Sequence, residues 1–302
     1  MAGALNEQSA VRVLEIAGVR FTYVVDGAMA MVRKAFFGGV PDSYWTEHPE
    51  ALDAQGRVAM SAGGLLVERD GEVFLVDAGL GDVRSPVLVE GETVGYCDSG
   101  ALPETLSALG HRPEDIEAVA FTHLHVDHTG WAFSGGRRFF PAAAYLVAGA
   151  EWAPHERGEL IPGAPARGDV IEPLAGSHRL IADGEEVFPG VRAVVTPGHS
   201  PGHTSYLVDA GAQRVLAFGD VFHLPAQLTH PDWPSRPDVD TAGVLAARSR
   251  IVTELEQPGT IGFAFHFGDQ AFGRVTRGAD GLRYWEPVEA EAVLPAPRVL
   301  TD

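Results

Sequence analysis

Several short segments alternate between hydrophobic and polar residues, a pattern typical of β-strands. Residues 12–16 and 20–25 repeat with a period of about two. Asp70-Gly71 separates two apolar runs, and this dipeptide in that setting predicts a β-hairpin. A second hairpin is predicted around residues 278–281. The strands of the Asp70-Gly71 hairpin are 64–68 and 72–76, and the other predicted strands are 118–121, 143–147, 191–195, 205–208, 215–218 and 261–265.

Two segments have helical patterns. Residues 103–109 begin with proline, carry leucines on one face and are followed by Gly110. Residues 241–256 form the clearer helix, which Pro258-Gly259 ends. Strands outnumber helices, yet helices lie between them, so we expect an α/β (α+β) fold in which a sandwich of β-sheets is flanked by helices. No low-complexity linker divides residues 1–302, which favours a single domain.

Two stretches lack a clear period. Residues 28–45 are apolar and form either a wall of a substrate pocket or an arm packed on the core. Residues 157–176 are rich in proline and glycine and are interpreted as a surface loop or insertion.

Composition and charge narrow the functional classes. No apolar run approaches the ~20 residues that span a bilayer, and the first residues lack a signal-peptide pattern, so we expect a cytoplasmic protein without a membrane partner. The net charge of -19 argues against nucleic acid as a partner. Cys97 is the single cysteine, which excludes a cysteine-based zinc site, and we interpret it as a small buried hydrophobic residue.

The strongest chemical signal is the segment 122–130, directly after a predicted strand. It contains His123, His125, Asp127 and His128 within six positions. Imidazole nitrogens and carboxylate oxygens are ligands that zinc prefers. Adjacent Asp127 and His128 must point in different directions, which suits a second metal close to the first.

Three further candidate ligands follow other predicted strands, namely His199, Asp220 and His266. The expected first site consists of His123, His125 and His199, and the expected second site of Asp127, His128 and His266. Asp220 has two carboxylate oxygens and would bridge both. We therefore expect two divalent metal ions, with Zn2+ as the first choice, although iron, manganese and cobalt suit the same ligands.

The order His-x-His-x-Asp-His, Thr-Pro-Gly-His, Gly-Asp and a late His resembles the metallo-β-lactamase superfamily, in its binuclear hydrolase branch. This resemblance implies an αββα sandwich, in which two mixed β-sheets are flanked by helices and the metals lie at one edge between the sheets. It also implies the same seven ligands. Asp77 resembles the buried aspartate that lies behind the ligands of that family. His199 matches the family ligand better than His203, to which we assign a supporting or packing role.

Two residues are candidates for direct catalytic roles. Asp127 would orient the nucleophile and carry its proton to the leaving group. His223 stands where many lactone-cleaving relatives carry a tyrosine, and it would polarise the substrate oxygen or protonate the leaving group; the alternative is a partly exposed loop histidine. The remaining histidines have no supporting context and are predicted at the surface, namely His48, His111, His155, His178 and His230.

The predicted function is hydrolysis of a small apolar ester or lactone by a metal-bridging hydroxide, since two cations lower the pKa of a shared water toward ~7. The pocket is expected to involve Phe36, Phe37, Trp131, Leu224 and Trp233, unless these residues belong to the core. Phosphotriester hydrolysis is the alternative reaction, and a non-catalytic metal-binding protein is the alternative class. β-Lactam and glutathione thioester hydrolysis fit less well. The expected partner is a small molecule, and a homodimer is the candidate assembly.

Overall fold

A computed structural model describes residues 3–300 of the chain. Its strands are β1 Val11–Ile16, β2 Val19–Met31, β3 Val58–Arg69, β4 Glu72–Val76, β5 Arg84–Val89, β6 Glu92–Asp98, β7 Ala118–Ala120, β8 Phe133–Ser134, β9 Arg137–Arg138, β10 Ala144–Ala148, β11 His178–Ile181, β12 Glu186–Phe188, β13 Val191–Val195, β14 Thr204–Ala210, β15 Gln213–Ala217, β16 Thr260–Phe263, β17 Phe272–Arg277, β18 Arg283–Pro287 and β19 Glu291–Leu294. The helices are α1 Arg33–Phe36, α2 Asp42–Glu47, α3 Leu102–Ala108, α4 Val126–Thr129, α5 Gly149–Glu156, α6 Glu172–Leu174, α7 Ala226–Thr229 and α8 Thr241–Leu255. Short 3-10 helices lie at Pro49–Ala51, Pro113–Asp115 and Gly219–Val221, and a π-helical turn at Arg167–Ile171.

Most strands of the described chain belong to two mixed sheets. The first has the order β11-β10-β7-β4-β3-β2-β1-β19, and the β5–β6 hairpin is attached to it through β2. The second has the order β12-β13-β14-β15-β16-β17-β18. β4 and β7 are parallel in the first sheet, as are β15 and β16 in the second. The carboxyl ends of each parallel pair therefore lie at one edge of their sheet.

The two sheets pack face to face and helices cover their outer faces. The central core joins Phe21 and Phe74 of the first sheet to Val208 and Phe263 of the second. A second core packs α3 and α5 against the first sheet, and a third packs α8 against the second sheet. This is the predicted αββα sandwich. None of the helices within residues 3–300 is long and apolar enough to cross a bilayer.

The predicted elements agree with the structure where the periodicity was clear. The hairpin at Asp70-Gly71, the closing hairpin and α8 are confirmed, and Asp240 caps α8 by accepting a hydrogen bond from the backbone N–H of Ala242. The β5–β6 hairpin is an element that the sequence patterns did not predict.

The interpretation of residues 157–176 as a surface loop is wrong in part. The segment contains the π-helical turn and α6, which bury Val170, Ile171 and Leu174 against the first sheet. Residues 28–45 combine both roles expected for them: Phe37 and Trp45 are core residues, while Met29, Met31 and Phe36 face a cavity.

Candidate metal centre

The candidate ligands are carried by loops that follow four strands. His123 and its neighbours follow β7, His199 follows β13, Asp220 follows β15 and His266 follows β16. The loops meet at one edge of the sandwich, between the two sheets. The structure brings all seven predicted ligands together, and all but Asp127 are buried.

The first donor cluster contains His123, His125, His199 and Asp220, whose ligand atoms lie within 4.8 Å of one another. Nε2 of His199 lies 3.3 Å from Oδ2 of Asp220, and Nε2 of His123 lies 3.8 Å from the same oxygen. Nδ1 of His125 lies 3.1 Å from Nε2 of His199. Three imidazoles and one carboxylate are a donor set that suits zinc.

The second donor cluster contains Asp127, His128, Asp220 and His266. Oδ1 of Asp220 lies 3.3 Å from Nε2 of His128 and 3.2 Å from Nε2 of His266. Oδ2 of Asp127 lies 3.7 Å and 3.8 Å from the same two nitrogens. The two oxygens of Asp220 thus face different clusters, the arrangement expected of a bridging carboxylate.

The unsatisfied polar atoms of the centre indicate that the donor sets fit metal ions. Within residues 3–300, Nε2 of His123, Nε2 of His128 and Oδ1 of Asp220 are buried, and none of them has a partner in the geometry of a hydrogen bond, despite the short distances between them. Leaving a buried polar group unpaired costs about 1–3 kcal/mol. Three such atoms facing one small volume are explained by cations that coordinate them.

The protonation of the two clusters differs. Burial lowers the pKa of His123 well below its usual value and that of His125 to about 3, so both candidate ligands are neutral rings at pH 7. Burial alone would lower the pKa of His128, but the Asp220 and Asp77 carboxylates raise it well above its usual value. Without a metal, a proton therefore neutralises part of the acidic second cluster.

Buried groups behind the ligands fix the orientation of the rings. Oδ2 of Asp77 lies 2.7 Å from Nδ1 of His128 and also accepts a hydrogen bond from the Thr122 hydroxyl. Asp77 has φ +63°, a left-handed conformation that a non-glycine residue rarely adopts. Such a carboxylate directs Nε2 of the histidine toward the metal. The predicted place of Asp77 behind the ligands is confirmed.

Two partners of this kind were not predicted. Oδ1 of Asp238 lies 2.9 Å from Nδ1 of His199, and the carbonyl oxygen of Ser61 lies 3.0 Å from Nδ1 of His266. Each leaves Nε2 of its ring facing the clusters. Neither residue stands in a recognisable motif, so the sequence offers no signal for them.

Glu151 of α5 was also missed, although it connects two of the three loops that carry the first cluster. Its carboxylate accepts hydrogen bonds from the backbone N–H of Leu124, the Ser200 hydroxyl and the backbone N–H of Gly202. Leu124 lies between two ligands, and Ser200 follows His199. The carboxylate therefore holds two distant parts of the chain in register.

His203 supports Asp220 instead of joining a cluster. Its Nε2 accepts a hydrogen bond of 3.0 Å from the backbone N–H of Asp220, and its Nδ1 lies 2.8 Å from the Thr196 hydroxyl. Gly219 has φ +56°, and a Cβ there would lie 2.5 Å from Nε2 of His203. Only glycine fits this turn, which brings the Asp220 carboxylate between the clusters.

His223 lies beside the centre and is buried, so it is not a partly exposed loop residue. Its Nε2 lies 3.0 Å from Oδ2 of Asp220. Of the other histidines, His155 is buried, and its predicted surface position is wrong because α5 packs it beside Trp152. The remaining four are partly exposed, namely His48, His111, His178 and His230.

A cavity of about 810 Å³ opens onto both clusters. Its walls are mainly apolar and come from the end of β2, the β5–β6 hairpin and residues 161–170. Of the five residues predicted to form the pocket, Phe36 lines it. The other four do not line the cavity in the described chain. Phe37, Leu224 and Trp233 pack in one hydrophobic cluster, and Trp131 donates its indole N–H to Asp26.

Comparisons with known proteins agree with this geometry. The sequence profile of the metallo-beta-lactamase superfamily matches residues 64–270. An N-acyl homoserine lactonase of Bacillus cereus is 31% identical over 156 residues, 48% of this chain and 56% of that protein. A probable metallo-hydrolase of Mycobacterium bovis is 28% identical over 191 residues, 55% of this chain and 58% of that protein. The chain thus matches little more than half the length of these relatives.

Solved structures resemble almost the whole chain. AidC, described as a dizinc quorum-quenching lactonase, superposes with a TM-score of 0.77 at 20% identity, covering 94% of this chain and 99% of its own. AbOPH, described as a hydrolase in the beta-lactamase superfamily, superposes with a TM-score of 0.74 at 21% identity, covering 95% and 100%. These likenesses concern the fold. The profile match, which covers more than half of the sequence, shows that the chain belongs to the metallo-β-lactamase superfamily.

Proposed function

We propose that the protein is a binuclear zinc-dependent hydrolase that opens lactones, or cleaves esters, with an apolar acyl portion. The observation that carries the proposal is the pair of donor clusters that share Asp220 at the base of an apolar cavity. The activities named for the relatives, N-acyl homoserine lactone hydrolysis among them, favour the lactone as the first substrate class.

The residues that would hold the metals follow from the two clusters. His123, His125 and His199 would bind one ion. Asp127, His128 and His266 would bind the other, with Asp220 shared between them. When bound, two such cations lower the pKa of a shared water toward ~7 and stabilise negative charge that develops on the substrate oxygen.

Two side chains of the cavity would act on the substrate directly. Asp127 lines the cavity, and although burial favours its neutral form, His128 holds its pKa below the usual value. An ionised Asp127 can accept the proton that the attacking water gives up and pass it to the leaving alkoxide. His223 also lines the cavity and would donate a hydrogen bond to the carbonyl or leaving oxygen.

The cavity supports the choice of an apolar substrate. Its volume lies in the ~300–1,000 Å³ range of small-molecule sites, and three methionines line it, Met29, Met31 and Met60. Methionine side chains adapt to flexible apolar ligands. The net charge of -19 favours a neutral substrate over an anionic one.

The proposal is tested with zinc-loaded protein and a panel of N-acyl homoserine lactones, aryl esters and phosphotriesters, each with and without a chelator. We expect chelator-sensitive turnover, fastest on lactones. Faster phosphotriester turnover would replace the proposed substrate class. A panel without any chelator-sensitive turnover would favour a non-catalytic metal-binding protein. The single domain, the cytoplasmic location and the homodimer remain predictions.

A further inference from the structure

We propose that Ser235 and Gln227 are positioning residues. They hold the His223 ring in the tautomer that carries its proton on Nε2 and donates a hydrogen bond toward the reaction centre. The inference rests on the proposed function for its catalytic meaning. The side chains of Gln227, Ser235 and His223 are hydrogen-bonded in series and are nearly inaccessible to solvent. The inference follows from placing the proton of each hydrogen bond in this series.

The amide of Gln227 has a fixed orientation. Its Oε1 accepts hydrogen bonds from the backbone N–H of His223, at 2.8 Å, and of Leu224, at 3.2 Å. A backbone N–H can only donate, so the atom facing it must be the amide oxygen. Nε2 therefore points the other way, where it donates to the carbonyl oxygen of Trp233 and to the Ser235 hydroxyl, both at 3.0 Å.

The orientation of Gln227 determines the direction of the Ser235 hydroxyl. This oxygen accepts from Nε2 of Gln227, so its own proton needs another acceptor. Nδ1 of His223, 3.0 Å away, is its one remaining hydrogen-bond partner in the described chain. Ser235 therefore donates to Nδ1, which must be the unprotonated nitrogen of the ring.

The neutral His223 ring then carries its proton on Nε2. This nitrogen lies 3.0 Å from Oδ2 of Asp220, and an N–H there meets an acceptor, whereas a lone pair would face another lone pair. A ring protonated on Nδ1 would instead leave the Ser235 proton without an acceptor. Both ends of the ring favour the same tautomer.

This tautomer gives His223 a defined task. His223 lines the cavity beside Asp220, so its Nε2–H, which faces Oδ2 of Asp220, can also be shared with an oxygen of a bound substrate without any proton transfer. Because Nε2 has no lone pair available, His223 cannot act as the base that accepts a proton from water. That role is left to Asp127, and Ser235 and Gln227 act only through His223.

The direct test is the side-chain 15N spectrum of the zinc-loaded protein, in which a protonated and an unprotonated ring nitrogen have distinct chemical shifts. The signals of His223 are assigned by their loss in His223→Phe. We expect Nε2 to be protonated and Nδ1 unprotonated. A ring protonated on Nδ1 would overturn the inference. This measurement needs no turnover, so an inactive protein would refute the proposed function and still decide the tautomer.

The kinetic test is Ser235→Ala on the substrate that the panel identifies. We expect kcat to fall about tenfold, as is common for residues that orient a catalytic group, with KM within about twofold and the zinc content unchanged. Ser235→Thr keeps the hydroxyl and should recover most of kcat. Ser249→Ala removes a serine hydroxyl from the exposed face of α8 and should match wild type. A wild-type kcat in Ser235→Ala would overturn the inference.

Discussion

Glu151→Gln is the perturbation whose effect the structure defines most closely. The side chain is 2% exposed, and its two oxygens accept three hydrogen bonds, from Leu124, Ser200 and Gly202. Glutamine has nearly the same shape but one acceptor oxygen in place of two. The substitution therefore changes the hydrogen bonding of the two ligand loops with little change in packing.

The expected magnitude follows from the two possible amide orientations. If the amide oxygen faces Gly202, its NH2 group faces the backbone N–H of Leu124. If the amide is reversed, the Ser200 hydroxyl can rotate to accept, but the N–H of Gly202 faces NH2. Either way one buried backbone donor loses a charged acceptor, which costs about 2–3 kcal/mol.

The assay is urea unfolding of the zinc-loaded variant together with a competition measurement of zinc affinity. We expect the free energy of unfolding to fall by about 2–3 kcal/mol and zinc affinity to fall about 10- to 100-fold. Glu156→Gln makes the same change at an exposed position of α5 and should stay within about 0.5 kcal/mol of wild type. Equal stability and zinc affinity in the two variants would refute the role of Glu151.

Three further predictions concern the metals and the cavity. His266→Ala should retain one zinc ion and lose most turnover, as measured by elemental analysis and kinetics; two retained ions would contradict the ligand assignment. The Asp220 and Asp77 carboxylates raise the pKa of His128, so zinc that binds at pH 7 must displace a proton from this ring. Zinc affinity should therefore rise with pH, and calorimetry in buffers of different ionisation enthalpy should show proton release. Phe36→Ala should raise KM about tenfold for long acyl chains and less for short ones, since it removes an apolar wall contact of roughly 1.5 kcal/mol.

The convergence of the candidate ligands could be predicted from the sequence because their segments follow apolar strands. Clear strand patterns precede four of them, namely His123, His199, Asp220 and His266. In a sandwich of two sheets that contain parallel strands, the carboxyl ends of those strands meet at one edge. His199 could be preferred over His203 on the same ground. The family resemblance added the layer order of the sandwich, which the strand pattern alone left open.

The supporting residues could not be predicted in this way. Glu151, Asp238 and Ser61 belong to segments far from the ligands in sequence, and each contacts the centre only because of the tertiary fold. The cavity walls pose the same problem. The β5–β6 hairpin has no clean alternation, and its pocket-facing residues become recognisable only when the hairpin pairs with β2.

The central claim is that seven side chains hold two metal ions that share Asp220. Anomalous diffraction from crystals of the zinc-loaded protein measures this directly. The expected result is one zinc ion bound by His123, His125 and His199, and a second bound by Asp127, His128 and His266, with the Asp220 carboxylate contacting both. A single zinc ion, or two ions of which neither contacts Asp220, would contradict the account.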